Sequence, residues 1–461
     1  MPDTETIFRW VEELAGLGRR GTPAAGDDRS AEYLLERFRG FGLSDVQVQE
    51  SESFRWRATG VGLGVDGVEI AVSPAVFSFD ATVGNGSFST GPDGLAASLE
   101  DVGDGTVEQF ERADVRGRTV VFDLRFTLPR DALLAGGEFF HDPHDTVDPA
   151  DLKTANPYMS NFDDVVRRAI DGGAVGFVGV LADYFDSNDF HPEYTEGVSI
   201  PGVWVTRAEG ARLRSLLAPG RDTGAVLRLE GERAAAPART VIGYLPGRSS
   251  DTIMVQSHHD SIGEGAVEDA SGTASVLALA AHYSGIPAEE RPKTLMFVLM
   301  DSHWTGYQAH QAFVDAFVAP RDLDRRIVAN VTVEHIAKQA EIGPDGGLVV
   351  FDKPEYRGVF ENVSPALKAV IEAAIVENGL ERTLRLPADE IVSLLGELPT
   401  DADLVYQAGV PTVSLISAPI YLYDKADTLD KVMKSDLAPV ARAFIQIIDA
   451  LAATPSDRIR V

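Results

Sequence analysis

Thr252–Gly272 reads TIMVQSHHDSIGEGAVEDASG, and the fold turns on how this stretch is interpreted. Thr252 to Val255 is an apolar, β-branched run that predicts a buried strand, and the small-residue segment Ala270 to Ala281 predicts the start of a helix. His258, His259, Asp260, Glu268 and Asp269 therefore fall on a strand-to-helix connection, where open α/β sheets place their ligands. Neutral imidazoles and carboxylates meeting at a strand end are the donors that a divalent metal needs. A solvated acidic loop with incidental histidines is the alternative. Two adjacent histidines among only nine in the chain favour a site.

Composition narrows the classes. The 461 residues suffice for two or three domains, and 44% apolar with 24% charged residues is ordinary for a globular protein. A net charge of −30 opposes nucleic acid or an anionic membrane as a partner. The chain has no cysteine, which excludes disulfides, thiolate zinc sites and a cysteine nucleophile. Any metal must be held by His, Asp and Glu. The N-terminus lacks a basic segment followed by an apolar one, and no window of about 18 apolar residues occurs, so a cytoplasmic location is expected. A large acidic surface suits a monomer and a homodimer equally.

Asp3 or Thr4 can cap a helix with Ile7, Val11 and Leu14 at helical spacing, and Ala31, Leu34, Leu35 and Phe38 mark a second that Gly40 and Gly42 stop. Val46, Val48 and Glu50 then alternate as a strand leading into a Gly-rich, hairpin-like region from Gly60 to Gly94. From about 59 to 237 short strands with many turns predict an inserted domain, closed by the linker-like GERAAAPART of Gly231–Thr240. Its longest irregular stretch, Leu128 to Asn161, carries His141 and His144, read as surface histidines in preference to a second metal pair. After 238, strands at 241–245, 253–257, 295–300, 327–333 and 413–416 alternate with helices near 270–282, 307–317 and 365–378 and a long one with Leu437, Val440, Phe444 and Ile448. That alternation predicts a mixed, mostly parallel sheet with helices on both faces.

These segments, in this order, resemble the co-catalytic zinc aminopeptidases, a family that includes glutamate carboxypeptidases and glutaminyl cyclases. The family's His-x-Asp signature is matched by His258-His259-Asp260. Its Gly-Ala-x-Asp-(Asn/Asp)-x-(Ser/Ala)-Gly signature is matched by Gly265–Gly272, with Glu268 at the first acid. DVRGRTVVFDL, FDDVVRRAIDGGAVGFVGV and SIPGVWVTRAEGARL resemble a protease-associated domain, and LAGLGRRGTPAAGDDRSAEYLLERFRGFG resembles the family's N-terminal helices. The resemblance implies a catalytic domain built from 1–58 and 238–461, interrupted by a protease-associated-like domain at 59–237.

For chemistry the resemblance is partial. It implies that His258, Glu268 and Glu334 hold one divalent ion, zinc foremost with Mn or Fe as alternatives, and that Asp260 orients the His258 imidazole. The family's second ion uses a Glu-Glu pair and a His-x-x-x-Asp turn, positions taken here by His303-Trp304 and by Tyr423 with Asp427. Indole cannot ligate and a neutral phenol rarely does, so the second site reads as dismantled. His303 stands where the family has its general base, and imidazole can do that work, although a ligand or a structural role remains open.

The first reading is thus a mononuclear metal hydrolase cleaving an amide-like or other C–N bond in a small or short peptide-like substrate. Metal-activated water would attack, with His303 as base and Asp260 in support. His259, Asp269, Trp304 and Tyr423 are the candidate pocket residues. Trp304 favours an aromatic substrate or one otherwise unlike a peptide N-terminus, against ordinary aminopeptidase activity. The alternatives are a non-catalytic binding protein on the same fold, and a non-hydrolytic metal enzyme using His258, His259, His303 and His335.

Overall fold

The structure is a computed structural model that describes residues 1–22, 29–153, 155–217, 222–320 and 324–460. Residues 23–28, in the middle of the N-terminal stretch quoted above, lie outside the described residues. The strand Thr252–His258 occupies the centre of a mixed sheet, paired in parallel with Thr294–Met300 on one side and Ile327–Val333 on the other. Ile327–Val333 pairs in parallel with Thr412–Ser417. All four strands are buried along their full length, because helices cover both faces, and this is why they read as continuous apolar runs.

Alternation distributes their side chains. Ile253 and Val255 join the core under the helices Thr4–Ala15, Gly272–Ser284 and Leu437–Ala453, while Met254 faces Phe313 and Val314 of the helix Gln308–Phe317. Beyond Thr412–Ser417 the sheet continues through Arg357–Glu361 (antiparallel) and Thr383–Pro387, two strands for which the sequence offered no clear alternation. Among the described residues no helix is long and apolar enough to cross a membrane.

The N-terminal segment is fastened to the central connection by Arg20. Its buried guanidinium donates to the backbone carbonyls of His259 and Gly265, both at 2.9 Å, and to that of Glu264. A buried cation is tolerated here because three carbonyl dipoles receive its protons.

Two 22-residue strands, Ser44–Val65 and Gly224–Leu245, pair antiparallel and carry the sheet out to Thr119–Asp123, Gly176–Val180 and Gly202–Val205, which are parallel to one another. Residues 59 and 237 lie within these strands. The expected linker 231–240 is therefore a strand. Pro237 is accommodated because residues 234–240 have a partner strand on one side only, so its missing N–H is not needed. The hairpin-like reading of Gly60 onward corresponds to Leu63–Val65 turning through Asp66-Gly67, both at positive φ, into Val68–Ile70.

The stretch from Leu128 to Asn161 has short elements where irregular chain was expected. Phe126–Pro129 pairs with Ala155–Ser160, Arg130–Gly136 is helical, and Phe139–His141 adds an antiparallel edge to Thr383–Pro387. The chain between the two long strands thus wraps round to the far edge of the main sheet and covers the mouth of the central connection.

Candidate metal centre

His258 is the last residue of the central strand, and the connection after it folds back on itself. Gly265 adopts a left-handed conformation (φ +53°), and a Cβ at Gly272 would run into Asp269 and the Val333 carbonyl. These two glycines let the helix Gly272–Ser284 start tight against the sheet. The backbone N–H groups of Val267 and Glu268 donate to Asp427 at 2.9 and 2.8 Å, which fixes the direction in which Glu268 points.

Glu268 and Asp269, joined by a cis peptide, have opposite fates. The Glu268 carboxylate enters a buried cluster: its Oε1 lies 3.0 Å from His258 Nε2 and its Oε2 abuts His335 Nε2. The opposite nitrogen of each ring is already engaged, His258 Nδ1 with Asp260 Oδ1 at 3.2 Å and His335 Nδ1 with the Ser417 carbonyl at 2.8 Å. That engagement fixes Nδ1 of both rings, so Nε2 is the atom turned toward Glu268, free of its proton when an ion is bound. His258 Nε2, His335 Nε2 and both Glu268 oxygens are buried with no hydrogen-bond partner of acceptable geometry. Without an ion these atoms have only the ion pairs between protonated imidazole and carboxylate to offset their burial, and a cation bound between them would take over that role. Two imidazoles and a carboxylate converging in this way fit a divalent ion of the zinc type.

His303 stacks on His258, with ring centroids 4.3 Å apart and planes 12° from parallel. Its Nδ1 pairs with Asp401 Oδ1 at 2.9 Å, leaving Nε2 directed at Glu268 Oε1 (3.5 Å) and Glu193 Oε1 (4.0 Å). Burial opposes protonation of His303, but the charge of Asp401 overrides it and raises the imidazole to about 9. His335 is likewise disfavoured by burial and raised by Glu268 to about 9. Burial works to raise Glu268, yet the charges of His335 and His258 hold it well below the ordinary carboxylate range.

The structure revises three expected positions. Among the described residues donor atoms group as His258, Glu268 and His335 or as His258, His303 and Asp401, and Glu334 joins neither: its carboxyl is buried beside them and pushed well above the ordinary range by desolvation and by Asp401. His335 is the residue whose donor atom groups with those of His258 and Glu268. The strand ends at Val333, and His335 adopts a left-handed backbone conformation (φ +54°), its N–H donating to Asp269 Oδ1 at 3.2 Å, which swings the ring inward. Asp269 therefore does not line a substrate pocket. Its oxygens receive the Ser257 hydroxyl and the backbone N–H groups of Gly272 and His335.

His259 also turns away from the cluster. Nε2 donates to the Arg239 carbonyl at 2.9 Å, so Nδ1 accepts from the Ser30 hydroxyl at 3.0 Å, and the ring acts as a strut between segments. Neighbours on an extended backbone point to opposite sides, so adjacent histidines cannot share one ion easily.

Trp304 and Tyr423 do come together near His303, with ring centroids 5.4 Å apart. The Tyr423 hydroxyl donates to Glu193 Oε1 at 2.9 Å, and Tyr307 donates to Glu193 Oε2 at 3.2 Å. Asp260, besides holding His258, accepts from the backbone N–H of Trp304 at 3.2 Å. The sequence reading missed Asp401 and Glu193. Asp401 lies in ELPTDAD and Glu193 in HPEYTEG, neither with a local motif, and only the fold carries them to His303.

Residues 240–448 match the model of peptidase family M28. This segment is similar to the M28 peptidase domain. His258, Glu268, His303, His335 and Asp401 all lie within it, whereas Glu193 comes from outside, as does Tyr158, whose ring packs edge-on against Tyr423 with centroids 6.2 Å apart. No curated protein matches the chain. Among solved structures, a zinc aminopeptidase from Bacillus subtilis superposes with a TM-score of 0.67 at 17% identity, over 99% of this chain and 98% of its own. A peptidase M28 precursor from Shewanella amazonensis SB2B gives 0.69 at 19% identity, over 98% and 93%. An aminopeptidase from Aneurinibacillus sp. strain AM-1 gives 0.62 at 18%, over 98% and 94%. These likenesses establish a common fold that extends beyond the matched segment to nearly the whole chain.

The raised imidazoles have a consequence for the metal-free protein. Protonated His303 and His335 are favoured in the folded state, so the stability they contribute is complete below the unfolded histidine value of about 6.5 and is lost as pH rises through about 9. The melting temperature of metal-stripped protein should fall across that interval, and a profile that is flat or rising there would show that the two rings are neutral.

Proposed function

We propose that the chain is a hydrolase dependent on one divalent ion, zinc first among candidates, held by His258, Glu268 and His335. The observation that carries this reading is the buried convergence of two Nε2 atoms on one carboxylate, none with a hydrogen-bond partner of acceptable geometry among the described residues. Such an ion supplies Lewis acidity toward a carbonyl oxygen and acidifies water.

The chain's own residues do the rest. Asp401 holds Nδ1–H of His303, so Nε2 is the atom that accepts a proton from the attacking water and returns it to the leaving nitrogen. Asp260 and the Ser417 carbonyl keep His258 and His335 oriented. Trp304 and Tyr423 fill the space beside His303 with rings that cannot ligate, and Glu193 is tied to two tyrosines, which supports a single ion and a substrate other than a peptide N-terminus. In this reading 1–58 and 238–461 form the catalytic unit, and 59–237 is a protease-associated-like insertion that lends Tyr158 and Glu193 to the site.

The experiment is elemental analysis after mild dialysis, paired with an amidase assay on metal-stripped and zinc-reconstituted protein. About one ion per chain and activity restored by zinc are expected. Two tightly held ions would place a second one at His303 and Asp401, because His258 Nε2 can serve only one, and would remove His303 from the role of base.

A further inference from the structure

The centre is sealed. His258 is 0% exposed, Glu268 and His335 are 1% exposed and His303 is 3% exposed, and none of the four lines the open cleft of about 780 Å³ that lies beside them. One layer of side chains stands between the cleft and the centre. Glu193, Tyr307, Asp401 and Tyr158 line the cleft on one side and meet the site on the other: Glu193 Oε1 lies 4.0 Å from His303 Nε2, the Tyr307 ring lies 5.1 Å from the His303 ring, Asp401 bonds His303 Nδ1 at 2.9 Å, and Tyr158 packs on Tyr423.

These four differ in how freely they can move. Asp401 is fastened to His303, and Tyr158 belongs to the strand Ala155–Ser160. Tyr307 is held in a left-handed conformation (φ +60°), its N–H donating to the Ser302 carbonyl at 2.9 Å. Such a backbone is rare for an aromatic residue and persists only where its surroundings impose it. Glu193 is otherwise placed. It lies in residues 181–201, which form neither helix nor strand, a length of irregular chain that usually serves a function. The backbone there is anchored: Tyr184 and Phe190 are buried, the Ser187 hydroxyl donates to Asp424 at 2.6 Å, and the His191 N–H donates to the Tyr423 carbonyl at 2.9 Å. The Glu193 side chain, 32% exposed, is held by the hydroxyls of Tyr423 at 2.9 Å and Tyr307 at 3.2 Å. It can therefore rotate toward the cleft by breaking two hydrogen bonds, without unpacking any core residue.

We propose that Glu193, bolted by the hydroxyls of Tyr307 and Tyr423, is a side-chain gate between the cleft and the metal centre, and that ions and ligands enter when it swings outward. Closed, it keeps bulk water from the centre; open, it joins the centre to solvent. The presence of an ion to be gated rests on the function proposed above, whereas the barrier itself does not.

Zinc exchange reads the gate. A gate changes entry and exit by the same factor and leaves the equilibrium untouched, while a loosened ligand set speeds release alone and weakens affinity. Tyr307→Phe/Tyr423→Phe removes both hydroxyls and no charge. In this double variant zinc uptake by the metal-free protein and zinc release to dipicolinate should each quicken by about tenfold or more, the scale of two lost hydrogen bonds to a charged group, with Kd unchanged. Release should also become proportional to dipicolinate concentration, where wild type is independent of it. Tyr307→Phe and Tyr423→Phe singly should show the same pattern in smaller measure, and they serve should the double variant fail to fold. Unchanged rates in folded protein, or faster release with weaker affinity and unchanged uptake, would overturn the gate. If the wild-type chain takes up no zinc, the metal reading fails, and the gate is read by diethyl pyrocarbonate on the protein as purified. His303 should then be modified about tenfold faster in the double variant than in wild type, measured by peptide mass spectrometry against His144, whose side chain is 69% exposed. Equal rates at His303 would overturn the gate.

Discussion

Glu268→Ala is expected to abolish ion binding, because it deletes the one carboxylate placed between His258 Nε2 and His335 Nε2. His258→Ala and His335→Ala should do the same, whereas Glu334→Gln should keep the ion, since that carboxyl joins neither donor grouping. Asp260→Asn acts one bond further out and should weaken affinity by about 10- to 100-fold. The metal-free Glu268→Ala protein should also be less stable than metal-free wild type. Removing one member of a buried charged set leaves the others uncompensated, at about 3–5 kcal/mol. Elemental analysis and chemical denaturation on the same preparations check both parts. Full occupancy in Glu268→Ala would sink the proposed ligand set, and loss of the ion in Glu334→Gln with retention in His335→Ala would restore Glu334 to it.

His303→Ala is the second large effect. It should leave metal content intact and lower turnover by about 10²- to 10⁴-fold, the usual contribution of a positioned acid or base. Asp401→Asn should act in the same direction through His303, because an amide in place of the carboxylate removes the charge that favours the Nδ1–H tautomer and the protonated ring. Its distinguishing mark is the pH profile: the acidic limb of kcat/KM should move to lower pH in Asp401→Asn, since the imidazole loses the charge that raises it. Loss of the ion in His303→Ala would make His303 a ligand, and undiminished turnover would remove it from the mechanism.

Much of the sheet could be read before any coordinates. The four central strands are buried on both faces, so their apolar runs are dictated by burial alone and stand out in the chain. The strands Arg357–Glu361 and Thr383–Pro387 escaped notice because each carries a charged side chain held by buried ion pairs. Arg357 binds Asp436, and Arg385 binds Glu361, so their polarity reflects partners far away in sequence. The segment 231–240 was read as a linker for a related reason: small residues and a proline suit an edge as well as a loop.

At the centre the division is sharper. The sequence by itself determined that a strand-to-helix connection carries His258, Asp260 and Glu268, because those residues are neighbours and strand periodicity orients them. That Trp304 and Tyr423 stand at the second ion's ligand positions is what the resemblance implies, and residue type says only that an indole cannot coordinate and a neutral phenol rarely does. The tertiary structure decided the rest. His335 displaces Glu334 through one left-handed backbone conformation pinned by Asp269, a choice set by packing against another segment. His259 becomes a strut because its partners, Ser30 and Arg239, arrive from elsewhere in the chain. Asp401 reaches His303 across 98 residues and Glu193 reaches it from the covering segment, and contacts at such separation leave no periodic trace in the sequence, since only the closed fold makes them neighbours.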